Sequence, residues 1–85
     1  RPLPSAPAGG LHVAETGETL SPREVEVLRL LIAGAANSAI ADTLVISRYT
    51  VKNHVASILQ KLGVATRTQA ALRGRALGLA PLTPR

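Results

Sequence analysis

The chain contains no cysteine, methionine, tryptophan or phenylalanine, and its one aromatic side chain is Tyr49. Without cysteine there is neither a disulfide scaffold nor a zinc finger. One tyrosine is too few for the stacking platform of a single-strand nucleic-acid binder. Strands draw on aromatic residues, so their shortage favours a helical core built from Ala, Val, Leu and Ile, which make up nearly all of the 46% hydrophobic content. No apolar run approaches the ~18 residues of a membrane helix, and the N-terminus lacks the basic-then-apolar layout of a secretion signal. A cytoplasmic protein with no membrane partner is expected. Two histidines, no cysteine and no paired-carboxylate pattern leave nothing from which to build an active site. The chain is therefore read as a non-enzyme with no catalytic residues, metal or cofactor. Its 85 residues allow one small domain, and Arg1 in place of Met suggests a piece of a longer protein.

Acidic residues are absent from the second half. All five (Glu15, Glu18, Glu24, Glu26 and Asp42) precede residue 43, whereas residues 43–85 carry Arg48, Lys52, Lys61, Arg67, Arg73, Arg75 and Arg85. A one-signed surface on so small a domain repels itself, and a polyanionic partner is its natural counterpart.

Residues 1–18 read as a flexible linker. RPLPSAPAGG holds three prolines and two glycines, and no apolar period follows in LHVAETGET, although a short helix or turn at 11–14 is conceivable. From residue 19 to 80 the pattern is helical. Ser21-Pro22-Arg23-Glu24 is a capping box with proline at the first helical position, and Leu20 and Val25 can close a hydrophobic staple over it. Val25, Leu28, Leu31 and Ile32 follow at helical spacing, and Gly34 stops the helix. A second, short helix spans about 38–44, with Asn37 as its cap. Val45 and Ile46 make the turn, with Ile46 plugging the core. A third helix spans 48–62 between Ser47 and Gly63, its core stripe being Val51, Val55, Ile58, Leu59 and Leu62. Thr66-Arg67-Thr68-Gln69 is a second capping box, opening a fourth helix to about Leu77 with Gly74 as a soft spot inside it. Residues 81–85 read as a frayed tail. The expected fold is all-α, a four-helix bundle containing a helix-turn-helix whose second member, the third helix, is the recognition helix.

The solvent face of that helix is polar yet carries few charges along its centre. It offers Tyr49, Asn53, Ala56, Ser57 and Gln60, flanked by Lys52 on one side and by Thr50, His54 and Lys61 on the other. A helix in the major groove needs short polar groups for base edges and cations for phosphates. Asn53 can bond bidentately to adenine, Ala56 can touch a thymine methyl, and Lys52 can reach a guanine or a phosphate. The first-turn N–H groups, with Thr50, can face a phosphate. Tyr49 divides between packing on the first helix and a phosphate contact, and His54 reads as a structural histidine.

LSPREVEVLRLLIAG followed by NSAIADTLVISRYTVKNHVASILQKLGVATRTQAA resembles the LuxR-type (FixJ/NarL-type) helix-turn-helix domain of bacterial transcription regulators, including response regulators. The resemblance covers Leu20 to about Leu79. It implies a four-helix domain that recognises promoter DNA with its third helix, as a dimer, often through the fourth helix, on an inverted repeat. By position it carries DNA contact to Thr50, Lys52, Asn53 and Ala56, and backbone contact or structural pairing to Lys61 and Arg67. With Arg48, Tyr49 and Ser57 these make up the candidate DNA-binding set. Two departures stand out. The family's capping box on the second helix is lost, because Ala36 and Ala39 occupy both box positions. Ala56 also replaces a frequent Lys or Arg. Family members carry a receiver, an autoinducer-binding domain or a large ATP-binding module upstream, and RGRALGL at 73–79 resembles the last group.

The expected partners are double-stranded DNA, a second copy of the chain on that DNA, and RNA polymerase, in a cytoplasmic, nucleoid-associated setting. The alternative is a basic helical module that docks an acidic protein or a polymerase subunit. Salt separates the two, since only duplex binding falls linearly with salt on a log–log scale.

Overall fold

The computed structural model describes residues 10–84. In chain order it contains β1 (Leu11–Val13), β2 (Glu18–Leu20), α1 (Pro22–Ile32), α2 (Asn37–Leu44), α3 (Arg48–Leu62) and α4 (Arg67–Ala76). The four expected helices are present, but the fold is not purely helical, and the linker expected through residue 18 is corrected here. Within the described part of it, β1 and β2 pair antiparallel with Leu11 opposite Leu20, His12 opposite Thr19 and Val13 opposite Glu18. Val13 and Leu20 are fully buried. Gly17, at φ +75°, turns the chain so that its N–H reaches the Val13 carbonyl at 2.8 Å. Three-residue strands are too short to show a period, and so isolated a hairpin is stable only because it packs against the helices. The part of the expected linker at 1–9 lies outside the described residues.

α1 is the central helix. Its capping box forms as read: the Glu24 N–H donates to Ser21 Oγ at 3.1 Å, and Glu24 Oε1 accepts from the Ser21 N–H at 2.8 Å. Val25, Val27, Leu28, Leu30, Leu31 and Ile32 are all buried, because α4 and α3 cover it on different sides. Gly74, read as a soft spot inside α4, is also a buried close-packing position. A Cβ there would lie 2.9 Å from Ile32 Cδ1 and 3.2 Å from Leu28 Cγ, so a larger residue would have to displace these side chains for α4 to lie this close to α1.

α2 begins one residue earlier than read. Its N-cap is Ala36, with no side-chain acceptor; Asn37 is the first helical residue and accepts a hydrogen bond from Arg67 instead of capping. α2 ends at Val45 in the left-handed region (φ 57°, ψ 51°), where the Ile46 N–H returns to the Ala41 carbonyl at 3.0 Å and Ile46 packs on the core. α3 runs from its Ser47 cap to Gly63 as read. At α4 the Thr66 hydroxyl accepts from the Gln69 N–H, but the Gln69 side chain reaches the N–H of Ala65, one residue short of a reciprocal box. The tail is likewise corrected, except for Arg85, which lies outside the described residues. The Leu82 N–H donates to the Arg29 carbonyl, Arg29 Nε donates to the Ala80 carbonyl, both at 3.0 Å, and Leu77, Leu79 and Leu82 pack on the core.

Candidate nucleic-acid interface

Ser47 sets the start of α3: its Oγ accepts the Thr50 N–H at 3.0 Å and lies 2.9 Å from Thr50 Oγ1. Burial of Val51, Val55, Ile58 and Leu62 then turns Arg48, Tyr49, Lys52, Asn53, Ala56 and Gln60 outward, and all six are exposed. Tyr49 is 73% exposed and does not pack on α1, which removes the packing alternative for that side chain. His54 is half-buried at the edge of this face.

Hydrogen bonding divides the nine candidate residues. Among the described residues, the side chains of Arg48, Tyr49, Lys52 and Asn53 have no internal hydrogen-bond or ion-pair partner, and Ala56 leaves room between them. Ser57, Lys61 and Arg67 are engaged inside the domain. The Ser57 hydroxyl donates to Glu24 Oε2 at 2.5 Å. Lys61 Nζ donates to Glu24 Oε1 at 2.9 Å and to the Thr19 carbonyl at 3.1 Å. Arg67 donates to the Asn37 carboxamide oxygen and, at 2.9 Å, to the Ala35 carbonyl, tying α4 to the α1–α2 connection.

The same division applies to charge. Arg23 pairs with Glu26, Lys61 with Glu24 and Arg73 with Glu15, while Arg29 and Arg67 donate to carbonyls. Among the described cations this leaves Arg48, Lys52 and Arg75 without an internal partner, two of them in the first turn and a half of α3. Two of the three free cations of the described part thus lie at the start of α3, and the third, Arg75, lies on α4.

Glu24 is the functional-looking residue that sequence reasoning missed, having been read only as half of a capping box. It is 6% exposed. Burial by itself raises the pKa of a carboxyl. Here hydrogen bonds from Ser57, the Ser21 N–H and Lys61, together with the Lys61 charge, outweigh burial and lower it from 4.5 to about 2. The helical period places position 24 at the edge of α1's apolar stripe, but nothing local tells that it is buried against α3. Among the described residues no group of three His, Cys, Asp or Glu could hold a metal, and no helix is long and apolar enough to cross a membrane.

A short helix, a tight left-handed turn and a second helix whose outer face is cationic at one end and hydrogen-bonding along its length define a helix-turn-helix domain. Residues 18–73 match the sequence profile of the bacterial regulatory proteins, luxR family, and the chain belongs to that family. The transcriptional regulatory protein DegU of Brevibacillus brevis is 55% identical over 51 residues, 60% of this chain and 22% of DegU. LiaR of Bacillus subtilis is 47% identical over 55 residues, 65% of this chain and 26% of LiaR. The response regulator VraR of Staphylococcus aureus is 48% identical over 59 residues, 69% of this chain and 28% of VraR. The chain thus spans about a quarter of the length of these relatives. The solved structure of the transcription factor GerE superposes with a TM-score of 0.67 at 41% identity, covering 75% of this chain and 96% of GerE.

Proposed function

We propose that this chain is the DNA-binding output region of a bacterial transcription regulator, with α3 as the recognition helix in the major groove. The observation that carries the reading is the concentration of partnerless polar groups at the start of α3: Arg48, Tyr49, Lys52 and Asn53 around Ala56. In this reading Arg48 and Lys52 reach phosphates or a guanine edge, Asn53 reads a base, and Ala56 allows close approach. Tyr49 and Thr50 face the sugar-phosphate backbone. Ser57, Lys61 and Arg67 hold the helices that present these groups. The outer side of α4, where Leu72 is 63% exposed beside Val64, Gln69, Arg73 and Ala76, supports pairing of two copies there. Two copies on an inverted repeat would read half-sites about one helical turn, ~10 bp, apart. The setting is cytoplasmic and nucleoid-associated, and RNA polymerase is the further partner of a regulator bound at a promoter.

Fluorescence anisotropy of a labelled generic duplex, titrated with the chain at several salt concentrations, tests the proposal. Micromolar binding that weakens steeply and linearly on a log–log plot is the expected result. Absence of binding at low salt would overturn it and favour a module that docks an acidic protein.

A further inference from the structure

Among the described residues, Glu24 is the one charged residue in the buried set, and both of its oxygens are used on α3. Oε2 accepts the Ser57 hydroxyl at 2.5 Å, and Oε1 accepts Lys61 Nζ at 2.9 Å. Oε1 also accepts the Ser21 N–H at 2.8 Å, so the carboxylate is itself anchored to the start of α1. Ser57 and Lys61 are four residues apart and stack one turn above the other on α3. The C-terminal end of α3 is gripped once more, where Thr16 Oγ1 donates to the Lys61 carbonyl at 2.6 Å.

The core face of α3 is made of Val51, Val55, Ile58 and Leu62. Apolar contacts of this kind are non-directional, whereas a hydrogen bond fixes a direction as well as a distance. A roll of the helix matters for recognition. At the ~5–6 Å radius of a helix with its side chains, a turn of about 20° moves a side-chain tip by roughly 2 Å. Base-edge hydrogen bonds tolerate only a few tenths of an ångström. Two directional bonds, one turn apart, to one anchored carboxylate fix both the roll and the slide of α3. Asn53, one turn before Ser57 on the same side of the helix, is the outward residue whose aim depends most directly on them.

We propose that Glu24 is a positioning residue for DNA recognition: from inside the domain it sets the roll of α3 through Ser57 and Lys61, and it withholds the Lys61 ammonium from phosphates. The inference rests on the DNA-binding reading above, and its consequence is specificity more than affinity.

The test uses the full 85-residue chain, a duplex obtained by binding-site selection with that chain, and a generic duplex of equal length, well below the melting temperature. Glu24→Gln removes the charge while keeping the side-chain size. It is expected to bind the generic duplex as well as the parent chain or better, and to lose about tenfold in preference for the selected duplex, the order of one misplaced base contact. Ser57→Ala should lose a similar preference, and the double variant should lose less than the sum of the two single losses, because both act on the Ser57–Glu24 contact. Should Glu24→Gln fail to fold, Lys61→Met decides. It should lose preference while keeping the salt slope on generic duplex. An unchanged preference in folded Glu24→Gln, additive losses in the double variant, or a Lys61→Met salt slope smaller by about 0.9, which would put Lys61 on a phosphate, each overturns the proposal. If the parent chain binds no duplex, the DNA reading itself fails; binding by the parent with unaltered variants removes only the role of Glu24.

Discussion

Replacing Val45 by Asn should make the domain more stable. Val45 closes α2 at φ 57°, the only positive φ among the described residues outside glycine. In that region Cβ crowds the following carbonyl, at a cost of ~1–2 kcal/mol for an ordinary L-residue, and a β-branched side chain is worse placed than most. Little offsets this cost, because Val45 is 78% exposed. The fifth of the side chain that is covered contributes ~0.3–0.6 kcal/mol, scaled from the ~1.5–3 kcal/mol of a fully buried valine. Asn tolerates the left-handed region and commonly ends helices there, so Val45→Asn should gain about 1 kcal/mol. For a domain of this size that is ~4–8 °C in melting temperature. Val45→Gly removes the strain too, but the looser unfolded chain takes back ~0.4–1 kcal/mol, so its net change should lie near zero. Val45→Thr keeps the branched Cβ and should gain nothing. Thermal unfolding followed by circular dichroism ranks the four proteins. If Asn is no better than Thr, or Val is the most stable of the set, the left-handed turn carries no strain and the reasoning fails.

Acid should act through Glu24. Its pKa is depressed in the folded state, so its contribution is complete above the unfolded value of 4.5 and is lost as pH falls toward about 2. The full linkage is about 3 kcal/mol, of which roughly 2 is gone by pH 3; urea unfolding at pH 6 and pH 3 should show that difference in the parent chain and not in Glu24→Gln. Gly74→Val should cost ~2 kcal/mol, as overpacking against Leu28 and Ile32; a midpoint equal to the parent's would mean that the α1–α4 contact can open. Asn53→Ala should relax base preference at one position of the selected site by ~1–3 kcal/mol, and an unchanged consensus would take Asn53 out of the readout. Lys52→Ala should weaken binding to all sequences and lower the salt slope by ~0.9 if Lys52 sits on a phosphate; an unaltered slope with altered preference would move it to a base edge.

The legible features share one property: both partners lie within one turn of the chain. Ser21 with Glu24, Ser47 with Thr50 and Thr66 with Gln69 are three residues apart, so the starts of α1, α3 and α4 could be read directly. The apolar period that turns Arg48, Tyr49, Lys52, Asn53 and Ala56 to one outer face is equally local. The misread features have distant partners. Val13 is strand rather than linker because the helices cover it. Asn37 is a hydrogen-bond acceptor rather than a cap because Arg67, 30 residues away, takes its side-chain oxygen. The tail is held by Arg29, about 50 residues earlier in the chain.

The order of helices, the polar face of α3 and the excess of positive charge after residue 42 were therefore determined by sequence alone, because hydrogen-bonded caps and a 3.6-residue period are written in neighbouring residues. Tertiary structure decided which charges remain available. Seven cations and no acid follow Asp42 in sequence, but Lys61 and Arg73 are neutralised by Glu24 and Glu15 from the first third of the chain, and Arg67 is spent on carbonyl oxygens. An ion pair depends on distance in space and not along the chain, so only folding could decide that, among the described residues after Asp42, the cations left without an internal partner are Arg48 and Lys52 at the start of α3 and Arg75 on α4.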